Sequence, residues 1–437
     1  MIEHEDAPKC AEFRVAVVGL GYVGLPLAVA LGTRFQHVIG LDINTLRVDE
    51  VAAGVDRTGE VSAEALAAAG LTVTTDVNAL RDVFIFIIAV PTPLGPGKTP
   101  DLSAVEAAAR AVGQVIRPGA IVVLESTVWP GVTEEIVGPL IAAASGLELG
   151  RGFTVAYSPE RVNPGDAVHA LTCVPKVVAV NDESTWDRLH KLYGGVVPEV
   201  IRAPSIRAAE LAKLVENTQR DLNIALMNEV ALICDRLHLP TRDVLGVART
   251  KWNFLPFEPG LVGGHCISVD PYFLTQRAQE VGIHPEVILA GRRINDEMAR
   301  FIAVKTVKLL AECGKASVGA RVAVLGVAFK EDFGDVRNSQ VAPLMDELEA
   351  FGCSVLACDP VVDPDDALVT FGRVLATWDE LSAEAPVDAV ILAVRHSAFV
   401  QAPERVRALL GDEGVLVDVK SALGPEWVGP DGLYWAL

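Results

Sequence analysis

The segment Gly19-Leu20-Gly21-Tyr22-Val23-Gly24 constrains this chain more than any other. It follows an apolar run, Arg14 to Val18, and is answered by Asp42 at the end of the next such run, His37 to Leu41. Three glycines at this spacing between a strand and a helix meet three separate needs. Gly19 permits the tight turn, Gly21 lets a pyrophosphate reach the helix N-terminus, and Gly24 allows the helix to pack closely on the sheet. Asp42 is placed to hydrogen-bond the hydroxyls of an adenosine ribose and to repel a 2′-phosphate, so the expected cofactor is NAD. Arg47, five residues further on, is the candidate that would receive a 2′-phosphate instead.

The rest of the N-terminal third continues the same alternation. Leu71 to Thr75, Val83 to Val90, Ala120 to Leu124 and Phe153 to Ala156 read as strands, separated by alanine-rich helices such as Ser103 to Val115. Six strands fit a doubly wound parallel sheet. From Pro204 the pattern changes to one long helix with Ser205 as its N-cap and apolar residues at Ala208, Leu211, Val215, Leu222, Ala225 and Leu226. Such a helix is suited to link domains and to pair with a copy of itself. A Pro- and Gly-rich loop follows from Phe254 to Gly264, and helix resumes from about Pro285 to Cys313. After a small-residue linker, Lys315 to Ala320, strands return at Arg321 to Leu325, Cys353 to Cys358, Ala389 to Val394 and Val415 to Val419. The expected α/β architecture is therefore two Rossmann-like doubly wound domains, 1–203 and 315–437, joined by a central long helix and helical layer, 204–314. The first turn of the last domain, Gly326 to Lys330, lacks the glycine fingerprint and suits a ligand other than a second dinucleotide.

Bulk properties exclude several classes. A length of 437 residues, 51% hydrophobic and 22% charged, describes a soluble multi-domain protein. The net charge of −20 argues against nucleic acid or an anionic membrane as partner, so an anionic ligand must meet a local cationic site. The longest apolar run, Val83 to Val90, is strand-sized and ended by Pro91, and the polar segment Met1 to Cys10 has no signal-peptide core. A cytoplasmic enzyme is expected. The seven cysteines are odd in number and scattered, which argues against a disulfide framework, and Cys353 and Cys358 lack a second pair at zinc spacing, so no metal is expected.

One cysteine stands apart. Cys266 ends Pro259-Gly260-Leu261-Val262-Gly263-Gly264-His265-Cys266, where two glycines permit close approach of a substrate or a second backbone, and Asp270 follows four residues later. A nicotinamide site and a nucleophilic thiol in one chain suggest oxidation beyond an aldehyde. A thiolate adds to the carbonyl, and the resulting thiohemiacetal loses a second hydride to become a thioester. Such a thiol needs a nearby cation to lower its pKa, and Lys213 is the best candidate. Lys213 and Asn217 lie four apart on one helix face, where an ammonium and an amide can stabilise a developing alkoxide. The competing reading of that face is a solvated one, with Glu210 paired to Lys213.

These motifs, with Val90-Pro91-Thr92-Pro93, Glu125-Ser126-Thr127, Ser158-Pro159-Glu160-Arg161 and Ala328-Phe329-Lys330, make the chain resemble the UDP-glucose/GDP-mannose dehydrogenase family from about Phe13 to about Lys420. That resemblance implies NAD as cofactor and a UDP-sugar as substrate, oxidised through four electrons. It implies Cys266 as covalent nucleophile and Asp270, with Lys213 and a water, as the group that takes the alcohol proton. It gives Glu160 a part in thioester hydrolysis and Thr127 a part in placing the water. Tyr22, Val23, Pro91, Thr92, Thr127 and Arg337 fall with the glycines at the cofactor. Arg161, Asn163, Gly263 and Lys330, together with Glu160, Lys213 and Asn217, fall at the substrate. Arg249 falls near an arginine that crosses a dimer interface to the partner's substrate, which implies a homodimer or higher oligomer. Gly-Gly-His-Cys-Ile at 263–267 and Val-Asp-Pro-Tyr at 269–272 look like the UDP-N-acetylhexosamine branch, with UDP-glucose and other nucleotide hexoses as alternatives. A one-hydride β-hydroxyacid dehydrogenase and a non-catalytic redox sensor are the competing functions, and the Cys266 loop and the complete C-terminal domain argue against them.

Overall fold

A computed structural model describes residues 10–162 and 170–437 of the chain. The chain forms two compact units, Met1–Glu216 with Tyr272–Ile283, and Asn217–Pro271 with His284–Leu437.

The first unit is built on an eight-stranded sheet. Its strands are β1 (Cys10–Val18), β2 (Phe35–Leu41), β3 (Thr72–Thr74), β4 (Ile85–Ile88), β5 (Ala120–Leu124), β6 (Phe153–Tyr157), β7 (Lys176–Val180) and β8 (Val200–Arg202). Their order is β3-β2-β1-β4-β5-β6-β7-β8, and the first six run parallel. Every residue of β4 and β5 is buried, as expected of strands covered on both faces, which is why they read as unbroken apolar runs. The six expected strands are all present. The last two were not expected: β7 pairs antiparallel with β6, β8 pairs parallel with β7, and both are short. Strand order reverses between β1 and β4, and a crevice beyond the carboxyl ends of strands at such a point is where doubly wound sheets bind ligands.

The second unit carries β9 (Arg321–Leu325), β10 (Ser354–Cys358), β11 (Val387–Leu392), β12 (Leu410–Asp418) and β13 (Leu433–Ala436), all parallel. Four of these match the expected runs. β13 lacks such a run because it is a four-residue edge strand, half-exposed throughout. The order β10-β9-β11-β12-β13 is the flavodoxin-like member of the doubly wound class rather than a repeat of the first sheet.

One helix, Ile206–Leu237, runs for 32 residues, and the boundary between the units falls inside it. Ser205 caps it as expected, its hydroxyl accepting the Ala208 amide at 3.2 Å. In the second unit this helix packs on the Glu286–Glu312 helix so closely that a Cβ on Gly291 would stand 2.4 Å from Leu222 Cδ2. Polar groups hold the same seam. Arg292 is paired with Asp221 and Asp296, and Asn295 donates to the Asp221 carboxylate at 2.7 Å. Among the described residues no helix is long and apolar enough to cross a membrane.

Candidate active site

The glycine turn follows β1 and leads directly into the Gly24–Arg34 helix. Gly19 has φ +96°, and a Cβ there would lie 2.5 Å from the Ala89 carbonyl oxygen beyond β4; a Cβ on Gly24 would lie 1.9 Å from the Gly19 oxygen. Over Gly21, by contrast, nothing lies within 4 Å of a Cβ position. The helix has no side-chain N-cap and no acidic residue in its first turn, so no side chain of its own opposes an anion at its positive end. The residues therefore fit a dinucleotide pyrophosphate. Asp42 accepts from the Leu20 amide at 2.8 Å and the Asn44 amide at 2.9 Å, which fixes its carboxylate beside the turn. Arg47 is buried: its Nε donates to the Leu20 carbonyl at 2.8 Å and one terminal nitrogen to Asp56 at 2.8 Å. Its guanidinium thus braces the turn, which favours a ribose without a 2′-phosphate. Asp56, absent from the sequence-based site, is held by Thr58 and by the amides of Glu60 and Val61, and has no motif to reveal it.

Across the crevice, Glu125-Ser126-Thr127 leaves the end of β5. The Ser126 hydroxyl donates to the Val90 carbonyl at 2.7 Å and accepts its amide at 3.0 Å, tying the Pro91-Thr92 segment to the neighbouring strand end. Glu125 is buried, and Thr127 is half-exposed at the rim. Glu160, after β6, accepts the amides of Arg161 and Val162 on one oxygen, both at 2.7 Å. Its other oxygen lies 3.4 Å from the Lys176 ammonium. Arg161 turns away to Glu216, 3.1 Å distant. Asn163 lies outside the described residues.

The face of the long helix that carries Lys213 and Asn217 is not a solvated one. Lys213 is 7% and Asn217 9% exposed, and Glu210 is fully buried. Glu210 is not paired to Lys213. Its carboxylate takes the Gly131 amide and both the amide and hydroxyl of Thr133.

In the second unit the cysteine loop is pinned from several sides. The Asn228 side chain donates to the Gly260 carbonyl at 3.1 Å and accepts its amide at 2.8 Å, and Lys420 donates to the Pro259 carbonyl at 3.1 Å. The close approach that the two glycines permit is made by protein: a Cβ on Gly263 would stand 2.6 Å from the Asn338 carbonyl oxygen, and one on Gly264 2.8 Å from the Phe329 ring. Cys266 is half-buried, and its carbonyl accepts the Asp270 amide at 2.9 Å, where the Asp270–Glu280 helix begins. Asp270 is 2% exposed and accepts the Asn217 amide nitrogen at 2.5 Å. Two candidate site residues 53 positions apart in sequence are therefore a direct pair.

His265, next to the thiol, is held by Asp335 at 2.9 Å. Arg337 grips the same carboxylate, at 2.6 Å for the shortest contact. Burial would raise Asp335, but the bonds from His265 and Arg337 outweigh it and hold the acid well below the usual carboxylate range. Lys330 lies over the Phe333 ring, 4.5 Å from its centre, and Arg249 pairs with Glu258 at 3.0 Å. The turn after β9 differs from the turn after β1 in one decisive way. The side chain of Asp359, at the end of β10 where Asp42 stands on β2, is fully buried and taken up by the amides of Val327, Ala328, Val361 and Val362 and by His396. The next helix starts only at Val341, so no helix N-terminus meets this turn.

Fold and crevice together define a nicotinamide-dinucleotide-dependent dehydrogenase with a second doubly wound unit. The chain belongs to the UDP-glucose/GDP-mannose dehydrogenase family: residues 13–197 match its NAD binding domain, 207–297 its central domain and 323–425 its UDP binding domain. It is an NAD-dependent nucleotide-sugar dehydrogenase. It is 46% identical to Protein CapL of Staphylococcus aureus over 97% of this chain and 99% of that one. It is 44% identical to UDP-N-acetyl-D-glucosamine 6-dehydrogenase of Pseudomonas aeruginosa over 94% of this chain and 97% of that one. The solved UDP-D-ManNAc dehydrogenase of Pyrococcus horikoshii superposes with a TM-score of 0.85 at 31% identity, covering 97% of this chain and 99% of that one.

An Asp42→Ala variant should bind NAD roughly 10-fold or more weakly, the loss expected for hydrogen bonds to a charged group. Affinity for the sugar nucleotide should barely change. Calorimetric titration of each ligand checks this, and equal weakening of both would contradict the placement of NAD in the first unit.

Proposed function

We propose that the protein oxidises the 6-hydroxymethyl group of UDP-N-acetylglucosamine to the carboxylate, with two NAD consumed per sugar. The buried Asn217–Asp270 pair carries this reading, because an amide and a carboxylate held together beside the Cys266 loop are suited to an oxygen that first loses a proton and then bears negative charge. The likeness to the Pseudomonas enzyme and the Gly-His-Cys form of the loop support the choice of sugar.

NAD, when bound, accepts the two hydrides. In the first stage Asp270, with Lys213 and a water, takes the proton of the primary alcohol while its carbon gives up a hydride, leaving an aldehyde. The Cys266 thiolate then adds to the carbonyl carbon, and Lys213 and Asn217 stabilise the oxyanion. Loss of the second hydride converts this thiohemiacetal to a thioester. A water placed by Thr127 and assisted by Glu160 adds to the thioester, and the carbon–sulfur bond breaks to release the acid and the thiol. Lys330, Arg161 and Gly263 are proposed for the substrate, and Arg337 for the cofactor.

We assign the activity to the cytoplasm, where its nucleotide substrates are made, and a homodimer as the smallest assembly. The long helix supports the dimer: Leu211, Val215, Leu226, Ile233 and Leu237 are each more than a third exposed along it, an apolar stripe suited to a second copy. Arg249 would then reach the partner's substrate.

The test is the NADH endpoint with excess NAD and limiting sugar nucleotide. Two NADH per UDP-N-acetylglucosamine, with little from UDP-glucose, is the expected result. Two from UDP-glucose and none from the acetamido sugar would keep the chemistry and overturn the substrate.

A further inference from the structure

Beside Glu160 the first unit buries three side chains, Lys176, Glu125 and Tyr193, to which the proposed chemistry gives no role. Lys176 opens β7 and is 3% exposed; its ammonium lies 2.9 Å from a Glu125 oxygen and 3.4 Å from the Glu160 oxygen that the two backbone amides do not bind. The other Glu125 oxygen accepts the Tyr193 hydroxyl at 2.5 Å, and the Lys176 ammonium sits 5.3 Å from the Tyr193 ring centre. Glu125 and Tyr193 are both buried.

Stability is a poor reason for such a group. Burying one ammonium with two carboxylates costs several kcal/mol of desolvation per ion, and apolar side chains of similar volume fill such space as well or better. Of these three ionised side chains only Glu160 has appreciable contact with solvent, at 14% exposure. One of its oxygens is already fixed by two backbone amides, so the Lys176 ammonium acts on the other, the oxygen left to meet a water.

We propose that Lys176, itself held by Glu125 and Tyr193, is a positioning residue that fixes the outer oxygen of Glu160 and keeps that carboxylate ionised for the hydrolytic stage. This rests on the reading of Glu160 given above. The charged groups facing Glu160 are Lys176 from β7, Lys213 from the long helix and Glu125 from the end of β5, while Arg161 is turned to Glu216. Burial pulls Glu160 upward, but Lys176, the Val162 amide, Lys213 and the Arg161 amide together hold it below the usual glutamate range. Glu125, more deeply buried, is pushed up instead.

Without the ammonium Glu160 takes up a proton at higher pH, so the acid limb of thioester hydrolysis moves up by about one unit or more, the usual effect of one opposite charge at this range. The experiment follows acyl-enzyme by intact-protein mass and its hydrolysis rate against pH in wild type, Lys176→Met, Lys176→Arg and Glu160→Gln. Lys176→Met should accumulate acyl-enzyme and show the shifted limb, and Lys176→Arg should return the limb toward wild type. A Glu125→Gln/Lys176→Met double variant removes the fully buried Glu125 charge together with its ammonium and should shift the limb in the same direction if the single variant does not fold. An unshifted limb in whichever of these folds overturns the positioning role. Glu160→Gln separates the two readings: if it fails to accumulate acyl-enzyme, the assignment of Glu160 itself is wrong.

Discussion

A Cys266→Ser variant will stop making the uronic acid while still binding NAD. Serine keeps the size of the side chain but is a far weaker nucleophile at neutral pH, so no covalent adduct carries the second oxidation. The expected loss in acid formation is on the order of 10³-fold or greater, the scale seen when a catalytic nucleophile is removed. NAD affinity should stay within about twofold, because the glycine turn, Asp42 and Arg47 belong to the first unit and Cys266 to the second. Acid product is followed by chromatography and NAD by titration. Acid formation at the wild-type rate would end the covalent mechanism.

The largest effect on stability is expected at Arg292. This guanidinium is 2% exposed and reaches a fully buried carboxylate, Asp221, as well as Asp296. Replacing it with methionine leaves Asp221 in the core without its cation. Burial already pushes that acid up, with Arg292 the principal opposing influence. Removing one partner of such a pair costs roughly 3–5 kcal/mol. An Asp221→Leu/Arg292→Met double variant removes both charges and should recover most of the loss. Chemical denaturation followed by fluorescence measures both, and a single variant as stable as wild type would show that the pair contributes nothing.

Much of this architecture is legible in the sequence because the governing signals are local. The glycine turn, the unbroken apolar runs of β4 and β5, and Ser205 before its helix each announce themselves within a few residues. Short strands at the edges do not: β8 has three residues and β13 four, too few to show a period. The buried polar groups were harder still. Glu125 and Lys176 are 51 positions apart, and neither acid nor lysine in a strand-like run signals which distant partner cancels its charge. Glu210 illustrates the opposite error. Its spacing to Lys213 suggests a surface ion pair, whereas the fold spends its carboxylate on the turn at Gly131 and Thr133. The pairing of Asn217 with Asp270 is likewise a product of the fold, since no pattern of spacing brings a helix side chain to a loop end 53 residues away.

The long helix also limits how descendants of this chain can change. Asp221 meets Arg292, Asn228 meets both Gly260 and Asn295, and Asp235 meets Lys305 and Trp435, each partner being fixed by another part of the second unit. One residue inserted between them would turn everything beyond it by about 100° and advance it about 1.5 Å, parting every later side chain from its partner at once. A substitution along this stretch disturbs one partnership at a time, whereas a change in its length disturbs all of them together, so the fold tolerates the first far better than the second.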